Sequence, residues 1–216
     1  MIRYYFRRRR WRNFGVWPFN MIPRSGGGSQ ISSGGGVVTY ATWNPADKGV
    51  EVTLSNGDLT ASITGATLGV LVRATISKST GKWYWEVTIG ACVTFSPIAG
   101  GIAKSTAALT TYLGGDANGW GYYGSNGKKI NNATQAAYGL TYVQNDIIGV
   151  ALDCDGGTVE CFKNGASQGV MYSGLSGTFF GAASGAGGGS QIITANFGAS
   201  TFTYTPPAGF NSGLYQ

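Results

Sequence analysis

The sequence predicts an all-β fold, a two-sheet antiparallel β-sandwich that carries an extended N-terminal arm. Glycine accounts for 37 of the 216 residues and aromatic residues for 13%, while charged residues make up only 11%. Aromatic and β-branched side chains fit the pleated, half-buried surface of a strand. Short apolar runs are separated by Gly-rich turn signals, without a helical pattern between them, and such a succession is typical of a sandwich or barrel.

Three parts follow one another along the chain. Residues 1–24 form a basic, aromatic arm, and residues 25–36, "SGGGSQISSGGG", form a linker of the flexible Gly/Ser type. The β-sandwich domain extends over residues 37–216. Because Pro18 and Pro23 oppose a helix, we expect the arm to be extended.

The positive charge of the protein belongs to the arm. The formal net charge is +6. Residues 1–24 contain seven arginines and no acid, whereas residues 25–216 contain Arg73, seven lysines and all nine acids, a net charge of −1. The predicted domain is therefore close to neutral.

The first strands are indicated by alternation and by an Asn-Gly turn. In "VEVTL" (50–54), the period of two places Val50, Val52 and Leu54 on one face. "SNGD" (55–58) then supplies the turn that closes a hairpin.

Two longer runs predict the centre of the fold. "KWYWEVTI" (82–89) predicts a strand with one buried face, made by Trp83, Trp85, Val87 and Ile89. "DIIGVALD" (146–153) is more continuously apolar, as a central strand buried on both faces would be. "DGGT" (155–158) and "NG" (164–165) predict the turns on either side of the next strand.

The residue inventory gives no sign of a cofactor or metal. The chain has no histidine, and its three cysteines form neither a disulfide framework nor a zinc pattern, so we expect free thiols. No apolar run approaches the ~20 residues of a membrane span. Neither is there the apolar core of a signal peptide, and we expect a soluble product that is not secreted by that route.

Three short stretches match the sequence patterns of known functional sites but lack the surrounding structure or residues that those sites require. "GWGYYG" (119–124) matches a dinucleotide loop, but that loop must lead into a helix. "GASQG" (165–169) matches a nucleophile elbow, but without histidine Ser167 lacks the usual base. "DCDGGTVE" (153–160) does not complete a calcium-binding loop. We therefore expect no enzymatic activity.

Several blocks resemble the SPRY (B30.2-like) domain. The resemblance begins at "GKWYWEVTI" (81–89) and continues in order through "GWGYYGSNGKKINN" (119–132), "NDIIGVALDCDGGTVECFKNGASQG" (145–169) and "ANFGASTFTYTPPAGF" (195–210). The leader "TWNPADKGVEVTLSNGDLTA" (42–61) resembles the strand pair that precedes this domain in bacterial and phage relatives. Nothing in the resemblance concerns residues 1–36.

This resemblance implies a concanavalin-like, or lectin-like, sandwich that binds ligands through loops at one rim. It assigns core or turn positions to Trp83, Trp85, Glu86, Trp120, Asp153 and Asn196. Aromatic, amide and lysine side chains in or near predicted loops are the candidate ligand contacts. These residues are Tyr112, Tyr123, Lys128, Lys129, Asn131, Asn132 and Tyr142.

The arm combines features of a nucleic-acid tail with those of a protein interface. Its arginines could neutralise phosphates, but its seven aromatic residues suit a buried interface core. We expect it to anchor the chain in a large protein assembly, and a membrane contact is not expected because the segment forms no amphipathic helix. The anchoring residues are Arg3, Tyr4, Tyr5, Phe6, Arg7, Arg8, Arg9, Arg10, Trp11, Arg12, Phe14, Trp17 and Phe19.

The function predicted from these features is structural and non-enzymatic. The chain would be a virion component, in a capsid or head decoration, a fibre, the portal or the tail. It would display several copies of its domain for weak binding of host-surface glycans or proteins. The alternatives are a soluble adaptor that recognises a peptide or protein, and a nucleic-acid-associated protein that uses the arm.

Overall fold

A computed structural model of the chain describes residues 30–31, 37–92, 97–185, 187 and 189–216. The predicted arm (1–24) and all of the predicted linker except Gln30 and Ile31 lie outside these residues. The described part contains no helix, and it therefore offers no helix long and apolar enough to cross a membrane.

The described strands are short and follow the chain in a nearly continuous series. They are β1 (Gln30–Ile31), β2 (Val37–Val38), β3 (Trp43–Lys48), β4 (Val52–Ser55), β5 (Thr60–Thr64), β6 (Val70–Lys78), β7 (Lys82–Cys92), β8 (Ile98–Ala103), β9 (Gly119–Tyr123), β10 (Lys128–Asn131), β11 (Thr134–Ala137), β12 (Ile147–Asp153), β13 (Thr158–Lys163), β14 (Ala166–Ser173), β15 (Phe179–Gly185), β16 (Ser190–Asn196) and β17 (Asn211–Ser212).

Two large sheets face each other and confirm the predicted sandwich. Sheet I has the strand order β11-β10-β9-β8-β15-β6-β3, and sheet II has the order β14-β13-β12-β7-β16-β5-β4. These neighbours pair antiparallel, whereas β17 pairs with β7 in parallel. Strands β1 and β2 form a separate pair.

The main core lies between the two sheets. Trp43, Trp85 and Phe197 are fully buried there, and the rings of Trp43 and Phe197 meet edge to face at 5.0 Å. Burial of a side chain such as that of Phe197 stabilises the fold by about 1.5–3 kcal/mol. On β7, Val87 and Ile89 are also fully buried, while Trp83 is half-buried, so the predicted inward face of this strand is confirmed.

The Asn-Gly turns lie where the sequence predicts them. Between β4 and β5, the backbone φ angles of Asn56, Gly57 and Asp58 are 55°, 62° and 62°. After β13, Asn164 and Gly165 have φ angles of 49° and 79°. These left-handed conformations favour Gly and Asn, which explains why both sites carry an Asn-Gly pair.

Val50 does not lie on the buried face predicted for "VEVTL". Strand β4 begins only at Val52, and Val50 lies in the preceding turn with 91% of its surface exposed. The amide of Val52 donates to the carbonyl of Gly49 and closes this turn. The alternation predicted the strand correctly but its beginning two residues too early.

The outer face of sheet I is covered by the segment 104–118 between β8 and β9. Leu113 of this segment packs in a second apolar cluster with Leu71, Ile98 and Ala182. These strand residues alternate with the inward-facing ones, which places them on the opposite side of the sheet. The amide of Leu113 also donates to the buried Ser184 hydroxyl, at 2.8 Å.

The outer face of sheet II is covered by the segment 197–210 that precedes β17. Glu86 is 3% exposed and accepts hydrogen bonds from the amides of Thr203 and Tyr204, both at 2.8 Å. The ring of Phe202 meets that of Tyr84 edge to face at 5.2 Å. The centre of β7 is therefore buried on both faces, so the prediction of one buried face is wrong at Tyr84 and Glu86, whereas Thr88 is exposed as the alternation predicts.

The remaining motif residues hold turns and packing contacts. Asp153 accepts a bond from the amide of Gly156 at 2.7 Å and pairs with Lys82 at 2.9 Å. Asn196 accepts a bond from the amide of Gly198 at 3.0 Å. Trp120 is half-buried, and its ring lies 5.6 Å from that of Phe179.

Candidate binding site at the rim of the sandwich

A groove with a volume of about 510 Å³ lies at one rim of the sandwich. Three segments of the chain line it: residues 48–51 from the end of β3 to the turn before β4, residues 65–70 from the β5–β6 loop to the start of β6, and residues 109–110 of the segment that covers sheet I. The groove is therefore made by loops from both sheets.

Two aliphatic side chains stand out from the walls of this groove. Val50 is 91% exposed and Leu68 is 80% exposed. Exposure of apolar surface to water costs ~25 cal/mol of free energy per Å². Binding of a partner that covers this surface gains the same free energy. Well-exposed apolar side chains on loops at a concave surface are the usual starting point of a binding site.

Gly69 allows the loop that carries Leu68 to lie against the backbone of Tyr112. Its φ angle is +95°, and a Cβ atom at this position would come within 2.7 Å of the backbone nitrogen of Tyr112. A side chain here would be strained by the backbone conformation and by the contact. Glycine is thus required where the loop meets the segment that covers sheet I.

Arg73 joins segments that flank the groove in sequence, although neither it nor its partners line the groove. Its guanidinium is 4% exposed and binds Asp47 through two bonds, Nε–Oδ2 at 2.7 Å and Nη2–Oδ1 at 2.5 Å. Its Nη1 donates to the carbonyls of Lys104 and Ala107, at 3.2 and 2.8 Å. One buried side chain therefore joins β6, β3 and the covering segment, with the bidentate geometry in which Arg–carboxylate pairs are strongest.

Backbone hydrogen bonds complete this connection. The amide of Gly49 donates to the carbonyl of Leu71 at 2.9 Å, and the amide of Leu71 donates to the carbonyl of Leu109 at 3.2 Å. On the other side, the amide of Thr64 donates to the carbonyl of Glu51 at 3.3 Å. The loops are thus joined to one another, and a partner would meet a groove that is already formed.

The groove carries little charge of its own. Lys48 is half-buried, and its Nζ donates to the carbonyl of Val52 at 2.6 Å. Glu51 is exposed and forms no ion pair with the described residues. Recognition in the groove would therefore rest on apolar contact, with Glu51 as a charge at its edge.

A larger concavity, of about 680 Å³, lies beside Tyr40 and residues 198–206. Small and hydroxyl-bearing residues contribute most of its lining, and none of the highly exposed aliphatic side chains takes part. The rim groove therefore offers the stronger apolar contact surface.

The structure brings two of the predicted ligand residues together, away from the groove. Tyr112 and Tyr123 line a small pocket of about 170 Å³ on the outer face of sheet I, together with Ile98, Ile130 and Gln135. Both tyrosines are half-buried and pack against the apolar cluster of that face.

The predicted lysines differ in their accessibility. Lys128 is exposed, whereas Lys129 is half-buried. The Nζ of Lys129 donates to the carbonyl of Met171 at 2.7 Å and lies 4.9 Å from the centre of the Tyr172 ring. Lys129 thus connects β10 of sheet I with β14 at the edge of sheet II, and of the two lysines only Lys128 remains available to a ligand.

The other predicted ligand residues have mainly structural contacts. Asn131 donates to the carbonyl of Gly119 at 2.7 Å, and Asn132 lies in the β10–β11 turn with a φ angle of 49°. Tyr142 is 1% exposed, and its hydroxyl bonds to the amide of Ala99 at 2.9 Å. Because it is part of the core, Tyr142 cannot contact a ligand at the surface.

Sequence reasoning missed the groove because its residues do not look like a motif. Val50 continues an alternating pattern that predicts a strand, while Leu68 is a single leucine in "GATLGV" (65–70). The glycines around Leu68 were the available signal, since Gly on both sides of an apolar residue breaks the strand and favours an exposed loop. The described residues also contain no cluster of metal-ligand side chains.

The fold and the groove together define a lectin-like β-sandwich with a binding site made by rim loops. The family model of the SPRY domain matches residues 82–200, which is more than half of the chain. The protein belongs to the SPRY domain family, whose members are protein–protein interaction modules.

The chain is similar in sequence to Ran-binding proteins of vertebrates. It is 28% identical over 170 residues to Ran-binding protein 9 of Xenopus tropicalis, covering 76% of this chain and 31% of that protein. The identity to Ran-binding protein 10 of Danio rerio is also 28%, covering 76% of this chain and 28% of that protein. The chain thus spans less than a third of the length of these relatives. The predicted bacterial or phage type stays a prediction.

Solved structures agree with the fold. The SPRY domain of human HERC1 superposes with a TM-score of 0.63 at 14% identity, covering 71% of this chain and 96% of that chain. The PSpry domain of TRIM65 gives a TM-score of 0.58 at 18% identity, covering 73% and 92%. At these identities the likeness concerns the fold alone.

Proposed function

We propose that the domain is a non-enzymatic protein-binding module that takes a peptide segment of its partner in the rim groove. The observation that carries this proposal is the pair of exposed aliphatic side chains, Val50 and Leu68, on loops whose ends are joined to one another by backbone hydrogen bonds. The protein-binding character of the SPRY family supports it.

The partner segment would place an apolar side chain between Val50 and Leu68. Such a side chain would be covered on both sides, and a few apolar contacts of this kind carry most of the free energy at a protein interface. The relatives are named for binding Ran, but the chain matches less than a third of their length, so Ran itself is not part of the proposal.

Charge substitutions in the groove test this function. In an affinity capture from cells that express the natural partner, Leu68→Asp and Val50→Asp should each lower recovery of the partner at least tenfold, because a charge would be buried without a counter-ion. Val170→Asp is the matched control, since Val170 is 54% exposed on β14, outside the groove lining. Equal recovery by all three variants would contradict the proposal.

We further propose that residues 1–24 anchor the chain in a large protein assembly. The supporting observation is compositional: seven arginines, seven aromatic residues and no acid occur within 24 residues. Arginine and aromatic residues are enriched in interface cores, and the linker 25–36 would then display the domain. The relatives in Xenopus and Danio rerio are not named as virion components, and the virion assignment, with its glycan ligand, stays a prediction.

Deletion of residues 1–24 tests the anchoring role. The shortened chain should no longer sediment with the assembly, while it should still capture the partner of the rim groove. If the arm bound nucleic acid instead, nuclease treatment or a change from 50 to 200 mM salt would release the full chain, because phosphate contacts weaken steeply with salt.

A further inference from the structure

The edge strand β11 (Thr134–Ala137) of sheet I leaves alternate backbone groups without a strand partner. It pairs with β10, in the register Asn131↔Thr134, Ile130↔Gln135, Lys129↔Ala136 and Lys128↔Ala137. A two-residue turn, Asn132-Ala133, connects the two strands, with φ angles of 49° and 56°.

This turn determines which backbone groups point outwards. In a two-residue hairpin the flanking residues exchange hydrogen bonds, so Thr134 and, two positions on, Ala136 bond to β10. The N–H and C=O groups of Gln135 and Ala137 then point away from β10. Within the described part of the chain, no strand lies beyond β11 and no backbone bond reaches these four groups.

Strand β11 lacks the features that usually protect an edge strand. Its sequence, "TQAA", has no charge and no proline, and all four residues are exposed. By contrast, β3 contains Pro45, and the pairing of β14 is interrupted by two register shifts. Natural proteins block sheet edges with such features to prevent strand addition, and β11 is open to it.

A small pocket lies beside this edge. Gln135 is opposite Ile130, so both side chains are on the outer face of sheet I. Both line the pocket of about 170 Å³ that Tyr112 and Tyr123 complete. Asn126 donates to Oε1 of Gln135 at 2.9 Å and holds its amide at the pocket wall.

A positive charge lies next to the pocket on the same face. Lys128 is opposite Ala137, is exposed and forms no ion pair with the described residues. The methyl group of Ala137 is small, so Lys128 can reach across it towards a strand added beyond β11. An acidic side chain at that place would find a counter-ion.

We propose that β11 binds an extended peptide segment of a partner protein as an additional antiparallel strand. The peptide exchanges up to four hydrogen bonds with the backbone groups of Gln135 and Ala137. The peptide residue opposite Gln135 is apolar and turns towards the small pocket, and the residue opposite Ala137 is acidic and pairs with Lys128. Since the added strand is antiparallel, its motif is acidic-x-apolar. In such complexes the backbone gives affinity and the pocket gives specificity.

The strand edge of this surface is separate from the rim groove, although Tyr112, which lines the small pocket, also lies against Gly69 of the groove. The groove lies near the end of β3 and the beginning of β4, which are the edge strands on one side of the sandwich. Strand β11 is the edge strand on the opposite side of sheet I. A single chain could therefore hold two segments at once.

The test uses a random dodecapeptide library displayed on phage and selected on the immobilised full chain. We expect enrichment of peptides with the acidic-x-apolar motif. For a synthetic peptide from this pool, hydrogen exchange of the amides of Gln135 and Ala137 should slow at least tenfold on binding. The amides of Thr134 and Ala136, which already bond to β10, should change little.

Three variants identify the contacts. Gln135→Pro removes one outward N–H while an edge strand still tolerates proline, and it should weaken peptide binding at least tenfold. Gln135→Thr keeps the backbone donor and should weaken binding less. Lys128→Glu changes an exposed residue, so the fold is kept, and it should weaken binding of the acidic peptides at least fivefold.

Several results would overturn the proposal. Equal binding to the chain and to its Gln135→Pro and Lys128→Glu variants would do so, as would protection of the amides of residues 65–69 instead of β11. If the amides of Gln135 and Ala137 are already protected in the free chain in proportion to protein concentration, a second copy occupies the edge and the peptide proposal is wrong.

Discussion

Arg73 joins the segments beside the rim groove without lining it. Its guanidinium is buried and binds Asp47 and the carbonyls of Lys104 and Ala107. A buried pair of this kind is not by itself a strong stabiliser, because both charges lose their hydration. Removal of Arg73 is costly, however, since the Asp47 charge loses its counter-ion and the carbonyl of Ala107 loses its bond, while the carbonyl of Lys104 keeps only the bond from the amide of Ala107.

We therefore predict that Arg73→Met lowers the free energy of unfolding by about 3 kcal/mol. Arg73→Lys keeps the charge but cannot reach all three acceptors. Its free energy of unfolding should therefore lie between those of the parent chain and Arg73→Met. Urea denaturation measures both effects. If Arg73→Met were as stable as the parent chain, the ion pair would not hold the covering segment.

Asp146 is a carboxylate held in its charged form. Burial raises its pKa, but hydrogen bonds from the amide of Val143, from Asn164 and from Lys163 outweigh burial, and the resulting pKa lies below the usual value. Only 13% of its side chain is exposed. The bonds connect the turn after β13 with the beginning of β12.

This shift predicts an acid-dependent loss of stability. A depressed carboxylate pKa contributes stability above the unfolded-state pKa of about 3.9, and this contribution is lost as the pH falls through the folded-state pKa. Asp146→Asn should therefore be less stable than the parent at pH 7, and the difference should shrink between pH 4 and 2. Urea titrations at several pH values measure this difference in the free energy of unfolding. A difference that does not change with pH would contradict the lowered pKa of Asp146.

At the scale of elements, the two covering segments distinguish this sandwich from a simple pair of sheets. Residues 104–118 bury the outer face of sheet I, and residues 197–210 bury that of sheet II. Glu86 holds the second segment because each of its carboxylate oxygens accepts a backbone amide.

We predict that Glu86→Ala destabilises the fold by about 3 kcal/mol, since two charge-assisted hydrogen bonds are lost and two amides remain without acceptors. Glu160→Ala on β13 is the matched control. Glu160 accepts a bond from the Ser167 hydroxyl at an exposed position, so its loss should cost less than about 1 kcal/mol. Similar losses for both variants, measured in urea, would mean that Glu86 does not fasten the segment.

The strands and turns could be predicted from the sequence because their signals are local. Alternation located β7, and Asn-Gly pairs located the turns after β4 and β13. The covering segments could not be predicted, since the contact of Glu86 with Thr203 joins residues more than 100 positions apart. For the same reason the sequence did not indicate that Tyr142 is buried: its hydroxyl contacts Ala99.

At the scale of the whole molecule, charge is separated along the chain. The seven arginines of residues 1–24 stand against a net charge of −1 in residues 25–216. Long-range attraction to an anionic partner therefore comes from the arm, while the groove at the rim relies on apolar contact.

This separation predicts different chromatographic behaviour of the chain and its domain. At pH 7 and 50 mM salt, the full chain should bind a cation exchanger, because its formal net charge is +6. Residues 37–216 should pass through the column, since they carry the same −1 as residues 25–216. Retention of the shortened chain would mean that the domain itself presents a basic patch.

Arg73 and its partners lie outside the lining of the groove, and the side chains at the tips of the groove loops make few structural contacts. Residues 50, 51, 67 and 68 can therefore be randomised together without disturbing the buried ion pair. The domain has the properties of a display scaffold: a constant frame that carries a variable surface. A library at these four positions should yield folded clones at high frequency, and new specificities could be selected from it.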